Sequence, residues 1–142
     1  MVADFLGELI GGLVGGGLWE RGRRRRLARA DAAGGRMEFP GSVLGSAPYC
    51  HPAGGMLRVE GPTLTWLTSK GGMAFPVPVD RLDVRALGDV RPSEAFGGGR
   101  NVAVVCDDAG RAVRIIVLAS DLPYLARALP GVGRYVPAAG VS

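Results

Sequence analysis

The sequence predicts a mainly β (α+β) protein: a small, bent, seven-stranded antiparallel sheet or barrel with a C-terminal helix, preceded by an amphipathic N-terminal helix. Three observations predict this class. The 142 residues include 24 glycines and 10 prolines, which suit a chain with many tight turns. After position 36, short runs of alternating apolar residues lie between the turn residues. Apolar residues at helical spacing occur at the two ends of the chain.

The N-terminal segment separates on a helical wheel into an apolar side and a side of acidic residues and glycines. The predicted membrane-contacting residues are Val2, Phe5, Leu6, Leu9, Ile10, Leu13 and Trp19. Each glycine costs a helix about 1 kcal/mol relative to alanine, so this helix needs a surface that orders it. The small-xxx-small spacing of Gly7, Gly11 and Gly15 predicts self-association of the helix.

Positive charge is concentrated directly after this helix. Residues 20–36 contain seven arginines and two acidic residues, a net charge of +5, whereas the rest of the chain from residue 37 is near neutral. Such a segment indicates an anionic partner, either a membrane or a nucleic acid. The predicted anionic-surface residues are Arg21, Arg23, Arg24, Arg25, Arg26 and Arg29.

The length of the apolar stretch bears on how the helix meets a membrane. Residues 9–19 form an uninterrupted stretch of eleven residues, whereas a bilayer span needs roughly 20. Asp4 and Glu8 would each cost about 2.5–3.5 kcal/mol deep in the bilayer. We expect a peripheral helix or a short single span at the cytoplasmic face of the cell membrane. A signal peptide is disfavoured because its basic region should precede the apolar run. Packing of the helix on its own domain or on a partner helix is the alternative.

The predicted strands cover residues 36–45, 56–60, 63–68, 73–79, 82–86, 102–106 and 112–118. Pro76 and Pro78 should confine the fourth strand to a sheet edge. The last two strands form a hairpin around Asp107-Asp108-Ala109-Gly110, in which glycine supplies a positive-φ position. The chain therefore divides into a membrane-associating helix at 1–19, a basic linker at 20–36, a β domain at 37–131 and a loose tail at 132–142.

A final helix follows the last strand. Ser120-Asp121 offers a cap, and Pro130-Gly131 ends the helix. Its apolar residues at helical spacing are Leu122, Leu125, Ala126 and Leu129. Seven short strands followed by one helix is the order of the pleckstrin-homology superfold, although another small barrel would share this pattern.

Several segments, taken in order, carry a family resemblance. They are Arg23-Arg24-Arg25-Arg26-Leu27-Ala28-Arg29, the strand around Met37 to Val43, Leu64-Thr65-Trp66, Arg81-Leu82-Asp83-Val84, Val104-Val105-Cys106 and Leu129-Pro130-Gly131. In this layout the chain resembles an uncharacterised actinobacterial family of single-anchor membrane proteins with a pleckstrin-homology-like domain. The resemblance covers most of the chain and implies architecture and location, with no activity to carry over. The acidic, glycine-rich first segment departs from the family pattern.

The residues that could carry chemistry form no recognised motif. Cys50 and His51 are sequence neighbours that should point apart, with no third group to orient them. Together with Cys106 and Asp107 they lack the paired spacing of zinc sites. Two cysteines are too few for a disulfide framework, so we expect free thiols. The two Gly-Gly-Gly runs lack the lysine and hydroxyl residue of a phosphate loop. We therefore predict no enzyme, cofactor or metal.

These observations predict a non-catalytic, membrane-associated binding or scaffold module that contacts anionic lipid and an unidentified protein. The alternative is a soluble assembly component whose N-terminal helix docks on a partner protein or forms a homo-oligomer. Nucleic acid is disfavoured because no aromatic residues interleave with the arginines. The loop at 47–55 contains no basic residue except His51, which argues against specific phosphoinositide recognition.

Overall fold

The computed structural model describes residues 16–52, 54–69, 71–96 and 100–136. The helices and strands, in chain order, are α1 (Gly16–Ala32), β1 (Met37–Gly45), β2 (Gly55–Glu60), β3 (Thr63–Thr68), β4 (Ala74–Val77), β5 (Leu82–Gly88), β6 (Asn101–Asp108), β7 (Arg111–Leu118) and α2 (Leu122–Ala128). Short 3-10 helices occur at Pro92–Glu94, Ala119–Asp121 and Pro130–Tyr135.

The strands form one seven-stranded sheet in the order β4-β3-β2-β1-β7-β6-β5, in which every neighbouring pair is antiparallel. The two terminal strands of this order, β4 and β5, do not pair with each other in the described part of the chain. The predicted seven-stranded antiparallel sheet with a C-terminal helix is therefore confirmed, as an open sheet and not as a closed barrel. β4 contains Pro76 and is an edge strand, as predicted, and Pro78 lies just after it.

Alternation along the strands builds one core. Leu57, Val59, Leu64 and Trp66 are all buried, as their spacing predicts. Leu125 of α2 is fully buried in the same cluster, so the final helix packs against the inner face of the sheet.

The β6–β7 hairpin has the turn that its sequence predicts. Asp108 pairs with Arg111, which leaves Ala109 and Gly110 as a two-residue loop with φ of +51° and +91°. The Gly110 N–H donates to the Asp107 carboxylate at 3.1 Å. Glycine at the second loop position provides the left-handed backbone without a steric cost.

The loop between β5 and β6 covers part of the outer face of the sheet. Arg114 of β7 donates to Glu94 at 2.6 Å, and the Asn101 side chain exchanges two hydrogen bonds of 2.9 Å with the Phe96 backbone. Ile116 and Ala103 point outwards in register with each other, yet both are fully buried. The chain thus buries apolar residues on both faces of this half of the sheet.

Two segments are more ordered than the sequence predicts. Residues 20–32 of the predicted basic linker belong to α1. The helix ends at Ala32, and Gly34 beyond it has a φ of +68°. Gly34 N–H donates to Asp31 O at 3.0 Å and Gly35 N–H to Ala30 O at 2.7 Å, the bonds of a glycine-terminated helix end. In the predicted loose tail, Val132 is fully buried, because the chain folds back against β5.

Candidate anionic-surface interface

Helix α1 is fixed to the β domain by residues one turn apart on one side. Arg23 Nη1 donates to both carboxylate oxygens of Asp121, at 2.9 and 3.0 Å. Leu27 is buried in the core cluster, and Asp31 accepts a 2.5 Å hydrogen bond from Arg127 Nε. Residues four apart share a helix face, so these contacts hold α1 in one rotation about its axis.

The Arg23–Asp121 pair is buried, with exposed fractions of 6% for Arg23 and 0% for Asp121. Asp121 occupies the N-cap position of α2, but its side chain makes no capping hydrogen bond there. Its carboxylate binds Arg23 instead, which differs from the predicted capping role. Burial also removes Arg23 from the arginines that an external surface can reach.

The other predicted arginines of α1 lie at the protein surface. Arg21, Arg24, Arg25, Arg26 and Arg29 are exposed. Arg21, Arg25 and Arg29 follow one another at four-residue intervals, on the side of the helix opposite to Leu27. Like charges at this spacing destabilise a helix by roughly 0.2–0.5 kcal/mol per pair. An anion placed against this side of the helix would relieve that repulsion.

The remaining predicted membrane residues fall largely beyond this helix. Val2, Phe5, Leu6, Leu9, Ile10 and Leu13, and the glycines Gly7, Gly11 and Gly15, lie outside the described residues. Trp19 belongs to α1. Within the ranges that the structure describes, no helix has both the length and the apolar character to cross a bilayer.

A groove of about 380 Å³ separates α1 from the beginning of β1. Arg26 of α1 and Arg36, which precedes β1, line it together with the apolar Leu27, Pro40 and Met56. Glu38 also lines the groove, and its carboxylate accepts a 2.7 Å hydrogen bond from Arg58 Nε. The groove therefore combines positive charge with an apolar wall.

The apolar wall continues across the outer face of the sheet. The strand register aligns Pro40 with Met56, Met56 with Leu67, and Leu67 with Ala74, a set that we call the outer row. These residues face away from the core, because their strand neighbours Phe39, Leu57 and Trp66 are fully buried. Met56 is 37% exposed, and Met56 and Met73 are the two large apolar side chains that are exposed among the described residues.

A polar cluster joins the β1–β2 loop to the beginning of β5 and the end of β6. Tyr49 Oη donates to Asp108 at 2.7 Å, and Arg81 donates to the same carboxylate from Nε at 3.2 Å and from Nη2 at 3.1 Å. The Tyr49 hydroxyl and the Arg81 guanidinium hold the pKa of Asp108 below its usual range. Burial and the bond to Asp108 raise the pKa of Tyr49. Asp108 is therefore ionised and Tyr49 is protonated at neutral pH. The hydrogen bonds of Asp108 to Tyr49 and Arg81 connect three segments of the chain.

The cysteines and the histidine lie in separate environments. Cys106 is buried on β6, where burial raises the pKa of its thiol to about 12. Burial also raises the pKa of the Cys50 thiol, while the His51 ring stacks on Phe75 with centroids 5.8 Å apart. Asp107 is next to Cys106 on a strand and so faces the opposite side of the sheet. No cluster of three or more metal-ligating side chains occurs in the described residues. Because burial raises both pKa values, the Cys50 and Cys106 thiols are protonated at neutral pH.

Two features of this interface escaped the sequence interpretation, although each has a sequence signal. Gly34-Gly35 after an arginine- and alanine-rich run is a helix stop signal, and it could have extended α1 to residue 32. Met56 and Leu67 stand at positions where alternation calls for polar residues, which could have indicated an apolar outer face. No sequence signal identifies Asp121 as the partner of Arg23.

Comparisons of the chain with family models, with curated proteins and with solved structures found no match to any of them.

Proposed function

We propose that the chain is a non-catalytic, membrane-associated binding or scaffold module, whose α1 arginines hold the β domain against anionic lipid. One observation carries the proposal: α1 is fixed to the domain on the side of Arg23 and Leu27, and it exposes arginines on the opposite side. A rigidly attached basic helix transmits any attraction that it feels to the whole domain. Each arginine near an anionic leaflet contributes around 1 kcal/mol.

Lipid is favoured over nucleic acid by the surroundings of these arginines. Residues 21–36 contain no aromatic side chain on which a base would stack. The neighbouring groove and the outer row instead provide apolar surface next to positive charge. That combination suits the boundary between headgroups and acyl chains.

Vesicle co-sedimentation of the full chain tests the proposal. We expect partition onto phosphatidylcholine vesicles that contain phosphatidylglycerol, with weaker partition at high salt and on phosphatidylcholine alone. The variant R21Q/R25Q/R29Q should bind anionic vesicles at least about tenfold more weakly, because it removes three surface charges. The control R91Q/R100Q/R111Q removes equal charge at other exposed positions and should bind like the unmodified chain.

Either of two results would contradict this function. One is equal partition onto neutral and anionic vesicles. The other is equal weakening by the α1 variant and by its control, which would show that only net charge matters.

A further inference from the structure

Two arginines from different elements share the groove between α1 and β1. Arg26 extends from the helix and Arg36 from the segment before β1. Neither makes an ion pair with any residue of the described chain. Glu38 is the one acidic residue among the described groove residues, and Arg58 already binds its carboxylate. The groove thus has positive charge that the folded domain does not neutralise.

The same groove opens onto the outer row. Pro40 and Met56 belong to both, so the apolar surface begins beside the two arginines and continues to Leu67 and Ala74. Four strands span three inter-strand spacings, which gives the row a length of roughly 14 Å. One leaflet of a bilayer has a hydrocarbon depth of about 15 Å, half of the full core. The row is therefore about as long as an acyl chain in one leaflet.

We propose that this groove binds a single anionic phospholipid, with its phosphate between Arg26 and Arg36 and its acyl chain along the outer row. The inference rests on the proposed membrane association and identifies the lipid-specific site within it. A groove of about 380 Å³ lies within the usual size range of small-molecule sites. Free phosphate would use only the charged half of the site, and a purely acidic peptide such as polyglutamate has no apolar group to place on Met56. An anionic lipid satisfies both halves.

The full chain is titrated with monomeric, short-chain dihexanoyl phosphatidylglycerol, and binding is measured by calorimetry or NMR. Because this lipid forms no membrane surface, the titration distinguishes a specific site from general attraction to a surface. We expect saturable binding of one lipid per chain. Dihexanoyl phosphatidylcholine and glycerol phosphate should each bind at least about tenfold more weakly, because each lacks one half of the recognised chemistry.

Two matched pairs of variants locate the site. R26Q/R36Q should abolish binding of the short-chain lipid, whereas R25Q/R29Q should leave it unchanged and weaken only vesicle binding. M56Q should weaken the short-chain lipid severalfold without changing glycerol phosphate. M73Q alters the other strongly exposed methionine, which lies outside the groove, and should have no effect.

Three results would overturn the lipid site: no saturable binding, equal binding of glycerol phosphate and lipid, or equal effects of R26Q/R36Q and R25Q/R29Q. A polyglutamate peptide that binds with the same dependence on Arg26 and Arg36, but without dependence on Met56, would also overturn it and assign the groove to acidic peptides. Vesicle binding that depends on Arg21, Arg25 and Arg29 without short-chain lipid binding refutes this inference alone. If the unmodified chain does not bind anionic vesicles at all, the proposed function is refuted.

Discussion

Arg23 and Asp121 form a buried ion pair between residues 98 positions apart in the sequence. One guanidinium nitrogen, Nη1, bonds both carboxylate oxygens, and the pair joins α1 to the residue that precedes α2. Removing two charges from water offsets most of the attraction between them. We therefore expect the pair to act mainly by fixing the position of α1.

Removing one partner of this pair should be far more harmful than removing an exposed arginine. We expect Arg23→Met to lower the free energy of unfolding by about 3–5 kcal/mol, because the buried Asp121 carboxylate loses both of its hydrogen bonds to Arg23. Urea denaturation measures the loss. Arg25→Met is the matched control on the exposed side of the helix and should cost under about 1 kcal/mol. Similar losses in both variants would show that the ion pair does not hold α1.

Gly34→Ala should destabilise the end of α1. The φ of +68° at this position costs a residue with a side chain about 1–2 kcal/mol. Gly35→Ala is the control, because Gly35 has no positive φ and an added Cβ would meet Ala30 O at an ordinary 3.5 Å. Thermal or urea unfolding of the two variants gives the comparison. A smaller loss for Gly34→Ala than for Gly35→Ala would contradict the assigned helix end.

Gly55→Ala and Gly54→Ala should differ sharply although the residues are adjacent. A Cβ at Gly55 would lie 2.0 Å from Leu67 O and 2.8 Å from the Trp66 ring, so β2 and β3 would have to separate. We expect a loss of about 1–3 kcal/mol or more in unfolding free energy. A Cβ at Gly54 meets no atom within 4 Å, so that variant should be neutral or slightly stabilising. Equal stabilities would contradict the β2–β3 register.

Acid should destabilise the domain through Asp108. Its pKa is lower in the folded state than in the unfolded chain, so its contribution to stability is present above about pH 4 and is lost as the pH falls through the folded value. Tyr49→Phe removes the largest cause of the lowered pKa and should flatten the decline in stability below pH 4. Asp108→Asn should remove the contribution of this group to the decline. Urea unfolding across acidic pH tests both variants, and an unchanged pH slope in Tyr49→Phe would contradict the assignment.

The strands were predictable because their information is local. Leu57 and Val59 alternate with polar positions, Pro76 marks an edge, and Ala109-Gly110 fits one type of turn. Each of these signals acts within a few residues. Together they are sufficient to place the strands along the chain.

The extent and docking of α1 depend on distant contacts and were not predictable in the same way. After Trp19 the helix carries only Leu27 as a large apolar residue, so its pattern is that of a solvated segment. The contacts that order it are with Asp121 and Arg127, near the other end of the chain. The candidate groove could not be predicted from the sequence for a related reason, because it exists only where α1 lies beside β1.

Both outer strands of the sheet are protected against pairing with a neighbouring molecule. β4 has Pro76, which lacks a backbone donor, and Arg134 and Tyr135 donate to the carbonyls of Val84 and Arg85 at an irregularity in β5. If its edge strands were unprotected, the open sheet would pair edge to edge with sheets of other molecules and aggregate at high protein concentration. Because both edge strands are partly blocked, we expect this domain to stay monomeric with respect to edge-to-edge strand pairing even at high protein concentration.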